Sequence, residues 1–292
     1  MNAITPKTIT KACGENNWYE LTLEVNTNKP SVFTVKFNHT SINDINFQAA
    51  ADIAARNIAN EHDNLFIGLS GGVDSEFVAN VFLRNNIKFT PIIAIMPKSH
   101  EHYHAFYWCY KNNITPIVCD LNNELDCLRE TAVNMLKKFP THDVIFGTIT
   151  AYIIEKAKKL GGIAVISEPD ITPKDSSKTV PYNFNLPIGN ILDTDLAGHV
   201  SDLLFNDSIS FLWRTPELVL STARELNPLI NFDIARAELY QVPYRPKYLQ
   251  VETTYLTQND LNTMYRVFQL NSYSRVPNIK WTRDELISIL SR

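Results

Sequence analysis

Residues 65–84, LFIGLSGGVDSEFVANVFLR, decide the fold: an apolar run breaks into Ser70, Gly71, Gly72, Val73, Asp74 and Ser75, and a helical pattern starts at once. Leu65, Phe66, Ile67 and Leu69 form a short continuous apolar run, the pattern of a strand covered on both faces in a parallel sheet. Gly71 and Gly72 let the backbone turn sharply and approach a ligand closely. Asp74 and Ser75 stand where a helix begins, and Phe77, Val78, Val81 and Phe82 recur behind them at helical spacing. The spacing predicts strand, loop and helix. A helix start of this kind offers backbone N–H donors and a positive dipole end to an anion, and the hydroxyls of Ser70 and Ser75 add donors.

The Walker pattern needs G-x-x-x-x-G-K-[ST], and no lysine follows these glycines. Charge neutralisation at the loop must then come from Mg²⁺ and from basic residues elsewhere, which makes Asp74 a candidate metal-facing residue. The plain alternative is an aspartate N-cap after a tight turn. Residue for residue, SGGVDS at 70–75 resembles the pyrophosphate-binding loop of the N-type PP-loop ATP pyrophosphatase superfamily, which includes asparagine synthetase, GMP synthetase, NAD synthetase and tRNA-modifying enzymes. The resemblance implies ATP and Mg²⁺ as cofactors, with Ser70, Gly71, Gly72, Val73, Asp74 and Ser75 around the phosphates. It also implies a reaction in which ATP is cleaved between its α and β phosphates, a substrate oxygen is adenylated, and a nucleophile displaces AMP. The loop identifies the superfamily and leaves the member open.

The chain has 292 residues, 45% hydrophobic and 20% charged, enough for an α/β core with a smaller appended unit. A formal net charge of −4 argues against nonspecific nucleic-acid binding, though a local basic patch stays open. No stretch reaches the ~20 apolar residues of a membrane span, and the start, MNAITPKTIT, lacks a secretory pattern. The expectation is a cytoplasmic protein with no membrane partner. Cys13, Cys109, Cys119 and Cys127 contain no C-x-x-C pair and read as buried or incidental thiols, which disfavours zinc-bearing or redox-thiol relatives.

Three regions are expected: a small β unit over 1–42, an α/β domain over 43–197, and a helical extension over 198–292. Residues 18–25 and 31–37, separated by NTNKP, read as a hairpin or as part of a small sheet. Residues 43–61 read as a helix capped by Asn43 or Asp44. Beyond the loop helix, TPIIAIMP at 90–97 and TPIVCDL at 115–121 read as strands, with helices over 101–112 and 124–139. Leu128, Val133, Leu136 and Phe139 lie on or near one face of the latter. Tyr152 to Leu160 reads as a helix ended by Gly161 and Gly162, followed by the strand IAVIS. Strands alternating with helices predict a doubly wound parallel sheet, whose ligands lie beyond the carboxyl ends of the strands. That rim would carry the loop, Met96 to Lys98 and Asp120.

In layout the chain is similar to the synthetase domain of asparagine synthetase, which implies an amide-forming ligase that adenylates a carboxylate-type small molecule. A glutaminase domain of that family starts with a cysteine after the initiator Met; position 2 here is Asn2, and about sixty residues precede the loop. Ammonia is therefore expected free or from a separate glutaminase. The resemblance places adenine against the end of the second strand, making Ile95 and Met96 candidates, with ordinary core packing as the alternative. The family's acidic loop after the later strand, S-G-[DE]-G-[AG]-D-E, is reduced here to Ser167, Glu168, Pro169 and Asp170. Glu168 and Asp170 are candidates for Mg²⁺ or for orienting an amine, a solvated loop being the alternative; the divergence puts aspartate as substrate in doubt.

Residues 171–195 show no sustained period and read either as a lid holding Lys174 or Lys178 near phosphate or as a plain connection. From 198 to 240 the pattern is helical, with Pro216 at a first turn. PYRPKY at 243–248 offers Arg245 and Lys247 as suppliers of the positive charge the loop lacks, against a surface turn as alternative. Two further helices are expected within 259–291, the second opened by the capping box of Thr282 and Glu285. His100, His102 and His104 alternate, but a helix puts His102 on a different face from the other two, so a solvated or substrate-facing turn is read there rather than a metal site. Two rival functions stay open: a PP-loop enzyme modifying a nucleobase in tRNA or DNA, and a nucleotide-binding protein without catalysis.

Overall fold

Short β-branched and apolar runs supply five strands that no single face of a helix could bury, and the chain solves this by stacking them in parallel. The computed structural model describes residues 7–25, 32–38, 43–95, 102–121, 123–138, 147–167, 172–173, 192–193, 202–203, 205–226 and 232–243. Its main sheet contains β4 (Leu65–Gly68), β5 (Thr90–Ile95), β6 (Ile117–Asp120), β7 (Ile163–Ile166) and β10 (Ser208–Ser210), all parallel, in the order β10-β7-β4-β5-β6. Helices α2 (Val73–Arg84) and α3 (His102–Lys111) carry the chain from β4 to β5 and from β5 to β6. Helices α4 (Leu125–Lys138) and α5 (Thr148–Lys159) then bring it back to β7 on the other side of β4. Right-handed crossovers put these two pairs of helices on opposite faces. The strand order reverses between β4 and β7, and the crevice beyond their carboxyl ends is where such sheets hold ligands.

The N-terminal unit is a three-stranded antiparallel sheet of β1 (Lys7–Cys13), β2 (Tyr19–Val25) and β3 (Val32–Phe37). The expected hairpin is β2 and β3; β1 was not expected. Its signal is the alternation of exposed Thr8, Thr10 and Ala12 with the more buried Ile9, Lys11 and Cys13. The sheet is fastened far along the chain. Trp18 stacks on Trp213 at 5.9 Å between ring centroids, and its indole N–H donates to the Trp213 carbonyl at 3.1 Å. Trp213 closes a short 3₁₀ turn, Phe211–Trp213, that leaves β10.

Helix α1 (Phe47–Glu61) starts later than either expected cap: Asn46 is the cap, its side chain accepting from the Ala49 N–H at 2.8 Å. Asn43 instead donates to Glu217 through its backbone and side-chain nitrogens at 3.2 and 3.3 Å. The helical reading of 198–240 also needs correction. Its three residues Ser208–Ser210 form the fifth strand of the main sheet, and only beyond them come α6 (Pro216–Glu225), capped by Thr215 with Pro216 in the first turn, and α7 (Phe232–Tyr240). Within 171–195, Thr172–Pro173 (β8) and Leu192–Asp193 (β9) pair antiparallel, and the remaining residues lie outside those described, with Lys174 and Lys178 among them. The helices expected within 259–291 also lie outside. No helix among the described residues is long and apolar enough to cross a membrane.

Three of the four thiols are buried and Cys127 is exposed. Burial pushes the Cys13 thiol from 9.0 up to about 12, with Asp202 adding to the effect and Lys11 opposing it. Burial likewise pushes Cys109 up to about 11 and raises Cys119. At pH 8 a thiol reagent should therefore modify Cys127 quickly and the other three only on unfolding, which a timed mass-spectrometric count would show. Because the folded values lie above the unfolded one, this contribution to stability is complete below pH 9. It is lost as pH rises towards 11–12, by at most about 1.4 kcal/mol per pH unit for each group. Urea midpoints measured from pH 8 to 10.5 should fall accordingly.

Candidate functional site

The turn from β4 to α2 is built as its sequence predicts, with one shift. Gly72 is the N-cap and Val73 the first helical residue, so Asp74 lies inside the first turn and is not the cap. Gly71 has φ +95°, a conformation that a residue with a Cβ rarely adopts. Gly72 has φ −75° and no side chain to cap the helix, leaving first-turn donors to be satisfied by something else. The two serines close a ring of hydrogen bonds beneath the turn. The Gly72 N–H donates to Ser70 Oγ at 3.2 Å, the two hydroxyls lie 3.0 Å apart, and Ser75 Oγ donates to the Gly72 carbonyl at 3.1 Å. The Ser70 N–H also donates to Ser75 Oγ at 3.2 Å. Ser75 is fully buried and its hydroxyl is a structural strut, whereas Ser70 faces outward.

The basic partner of this turn comes from α7. Arg236 Nη1 donates to Asp74 Oδ1 at 2.9 Å, and only 4% of the arginine side chain and 18% of the aspartate side chain is exposed. Helix α7 is held there by an aromatic stack: Tyr240 lies 4.4 Å from Phe77 on α2 and 5.5 Å from Phe47 on α1, and these two rings are 5.0 Å apart. Gln48 Nε2 donates to the Leu239 carbonyl at 2.8 Å and ties down the end of the helix. Arg236 is the residue the sequence reading missed. Its signal is an arginine between Ala235 and Ala237, small residues that are both buried.

The remaining candidates divide in two. Ile95 ends β5 at the carboxyl rim, next to β4, and Asp120 ends β6 on the same rim, accepting from Asn123 Nδ2 at 2.8 Å. Met96, Glu168, Asp170, Arg245 and Lys247 lie outside the described residues. His102 is buried, in ring contact with Tyr103 and Phe106, so the solvated reading fails for it and holds for His104, which is exposed. Over the opposite face, Ile153 of α5 lies against Gly68, 3.5 Å from where a Cβ would stand. Near the start of that helix Tyr152 donates to Glu124, and Lys156 approaches the same carboxylate at 3.9 Å. Burial first, and then this bond, push the Tyr152 hydroxyl upward, keeping it protonated at neutral pH.

A second polar cleft of about 180 Å³ lies where β1 meets the segment around β10. Its centre is the buried Asp202, which accepts from Tyr19 Oη at 3.0 Å and Ser210 Oγ at 2.5 Å. Lys11 donates to the carbonyls of Asp202 and Phe205, so this cleft is the seam joining the N-terminal sheet to the main one.

The turn suits a phosphate chain. Among the described residues a Cβ on Gly72 would meet only Ser70 Oγ, at 3.4 Å, so none of the others crowds the helix start. For a metal, the described residues contain no group of three or more His, Cys, Asp or Glu side chains able to hold it. Asp74 with phosphate oxygens and water is the donor set Mg²⁺ uses at nucleotide sites.

No protein-family model matches the chain, and no curated protein matches it in sequence. Among solved structures it is similar to the NH3-dependent NAD synthetase from Campylobacter jejuni subsp. jejuni NCTC 11168 in complex with the nitrate ion. The identity is 13%, the match covers 85% of this chain and 93% of that chain, and the TM-score is 0.36. It is also similar to the NAD+ synthetase from Burkholderia pseudomallei, with 13% identity, 80% of this chain and 91% of that chain covered, and a TM-score of 0.31.

Proposed function

We propose that the protein is an ATP-dependent, AMP-forming ligase of the PP-loop type, with the turn at 70–75 as the seat of the β and γ phosphates. The observation that carries this is the uncapped start of α2 behind SGGVDS, with Gly71 at φ +95°, at the point where the strand order reverses. In this reading the N–H donors of the first turn and the Ser70 hydroxyl bind the phosphate chain. Ser75 keeps the turn in shape through its bonds to Ser70 and Gly72. Mg²⁺, when bound with ATP at Asp74, supplies charge neutralisation of the departing pyrophosphate. Adenine is received where β5 ends at Ile95, with Met96, the next residue in sequence, as the second candidate.

The acceptor we favour is a carboxylate. Its oxygen attacks the α-phosphorus and the bond to the β-phosphate oxygen breaks, releasing pyrophosphate; ammonia then attacks the acyl carbon, AMP leaves, and one ammonia proton passes to a base. The layout resembling asparagine synthetase supports this reading, with ammonia taken free or from a separate glutaminase. Glu168 and Asp170, following β7, would face the amine or the metal, and Arg245 and Lys247 would add positive charge at the leaving group.

The test is incubation with α-labelled ATP, Mg²⁺ and a panel of carboxylates, amines and nucleic acids. AMP should appear with one acceptor class and fall by about 100-fold or more in Asp74→Ala, the scale of losing one preorganised charge contact. AMP formed equally by Asp74→Ala, or formed only with a nucleic acid, would overturn the proposal.

A further inference from the structure

We propose that the outer face of α3 is a docking stripe for single-stranded nucleic acid, a function that stands apart from the phosphate seat. Tyr103, Tyr107 and Tyr110 recur at i, i+4 and i+7 in α3, so one face of the helix carries all three, about 6 and 4.5 Å apart along its axis. They are 60, 59 and 80% exposed, the highest values for any large apolar side chain among the described residues. The opposite face is the buried one: Ala105, Trp108 and Cys109 pack with Leu69, Ala79 and Ile93. The Trp108 indole N–H donates to Asn80 Oδ1 at 2.8 Å, which fixes the helix with its tyrosines outward.

Charge and area select the occupant. The helix, HYHAFYWCYK, has no acidic residue. From Phe77 to Cys119 the chain sets Glu101 alone against Arg84, Lys88, Lys98 and Lys111, in a protein of net charge −4. Arg84 is engaged by Asp52, whereas Lys88 and Lys111 are exposed. Lys88 precedes Phe89, whose ring lies 6.2 Å from that of Trp108 beneath the stripe, and Lys111 Nζ stands 5.7 Å from the centre of the Tyr107 ring. An ammonium beside an exposed ring offers a phosphate and a base their contacts together. A second copy of the chain fits less well. At these exposures the three tyrosines offer roughly 400 Å², half of the about 800 Å² that each partner gives to a standard interface. Such a pairing would also bring in lysines with no carboxylate in the helix to meet them. A single strand needs less area: bases of any sequence stack on the aromatic faces, and the ammonium groups take the phosphates.

Fluorescence anisotropy of a dye-labelled oligo(dT) of about twelve nucleotides, titrated with the full chain without ATP, tests this. Binding should weaken steeply as salt rises. A duplex of the same length should bind at least about 10-fold more weakly, because its bases are not free to stack on the rings. Tyr107→Ser and Tyr110→Ser should each lower affinity by about 5- to 100-fold, and Tyr107→Phe should keep it. Lys111→Gln should weaken binding and reduce the salt slope by about 1. The substituted side chains are exposed, so thermal melts should match the wild type. Gly71→Val should bind the oligonucleotide as the wild type does, which separates the stripe from the phosphate seat. Undiminished binding in a folded variant with serine at all three tyrosines, or equal affinity for the duplex, overturns the proposal. A wild type that leaves the oligonucleotide unbound overturns it too, and a dimer in sedimentation that the triple variant abolishes would assign the stripe to a second copy instead.

Discussion

Valine in place of Gly71 is expected to lower ATP and pyrophosphate affinity by more than about 100-fold while the rest of the chain stays folded. At φ +95° a β-branched residue is strained by about 1–3 kcal/mol. The turn escapes by rotating to negative φ, which re-aims the Gly72 N–H and uncouples it from Ser70 Oγ, its acceptor at 3.2 Å. The donors are then no longer convergent. Alanine at position 72 separates the two demands on the turn: its φ of −75° is ordinary and the nearest obstacle among the described residues is Ser70 Oγ at 3.4 Å, so the fold should tolerate it. Calorimetric titration alongside thermal melts distinguishes these cases. Gly71→Val with unchanged ATP affinity would refute the role given to the turn.

Phe77→Ala should produce the largest loss of stability, about 3–5 kcal/mol, with a melting temperature lower by roughly 10 °C. Phe77 is fully buried and touches three rings that come from distant parts of the chain: Phe47, Phe211 and Tyr240. Deleting it leaves a cavity at the junction of α1, α2 and α7, and so loosens the helix that carries Arg236. A double-mutant cycle with Tyr240→Ala should show coupling above about 0.5 kcal/mol, since the two rings stack at 4.4 Å. Strict additivity would mean that α7 is held by something other than this stack.

The parts of the fold readable from the sequence are those in which one short pattern suffices. Strand β4 and helix α2 follow from apolar spacing and two glycines, and the start of α6 from Pro216 in its first turn. Strand β10 escaped because Ser208–Ser210 has only three residues, too few for any period, between apolar runs that look helical. Strand β1 escaped because its inward positions include Lys11, a residue whose charged end is satisfied by carbonyls 191 and 194 positions away. The cap of α1 was misplaced at Asn43 or Asp44 because Asn46, the actual cap, is a third residue of the same capping chemistry within four positions. At the site, the turn itself was legible and its cation was not. Arg236 looks like a solvent-facing arginine until α7 is laid on α2, a tertiary fact that no local window contains.

The long reach from Trp18 to Trp213 has a consequence for biosynthesis. The two residues are 195 positions apart. At roughly 5–20 residues per second, a ribosome leaves the first without the second for about 10 to 40 seconds. Strands β1 to β3 can meet one another as soon as they emerge, but Trp18 and Tyr19 lack the Trp213 ring, and Tyr19 its acceptor Asp202, until the last third of the chain is made. The nascent N-terminal sheet is thus the segment on which a chaperone would act, and truncated chains ending before Trp213 should be the ones that aggregate.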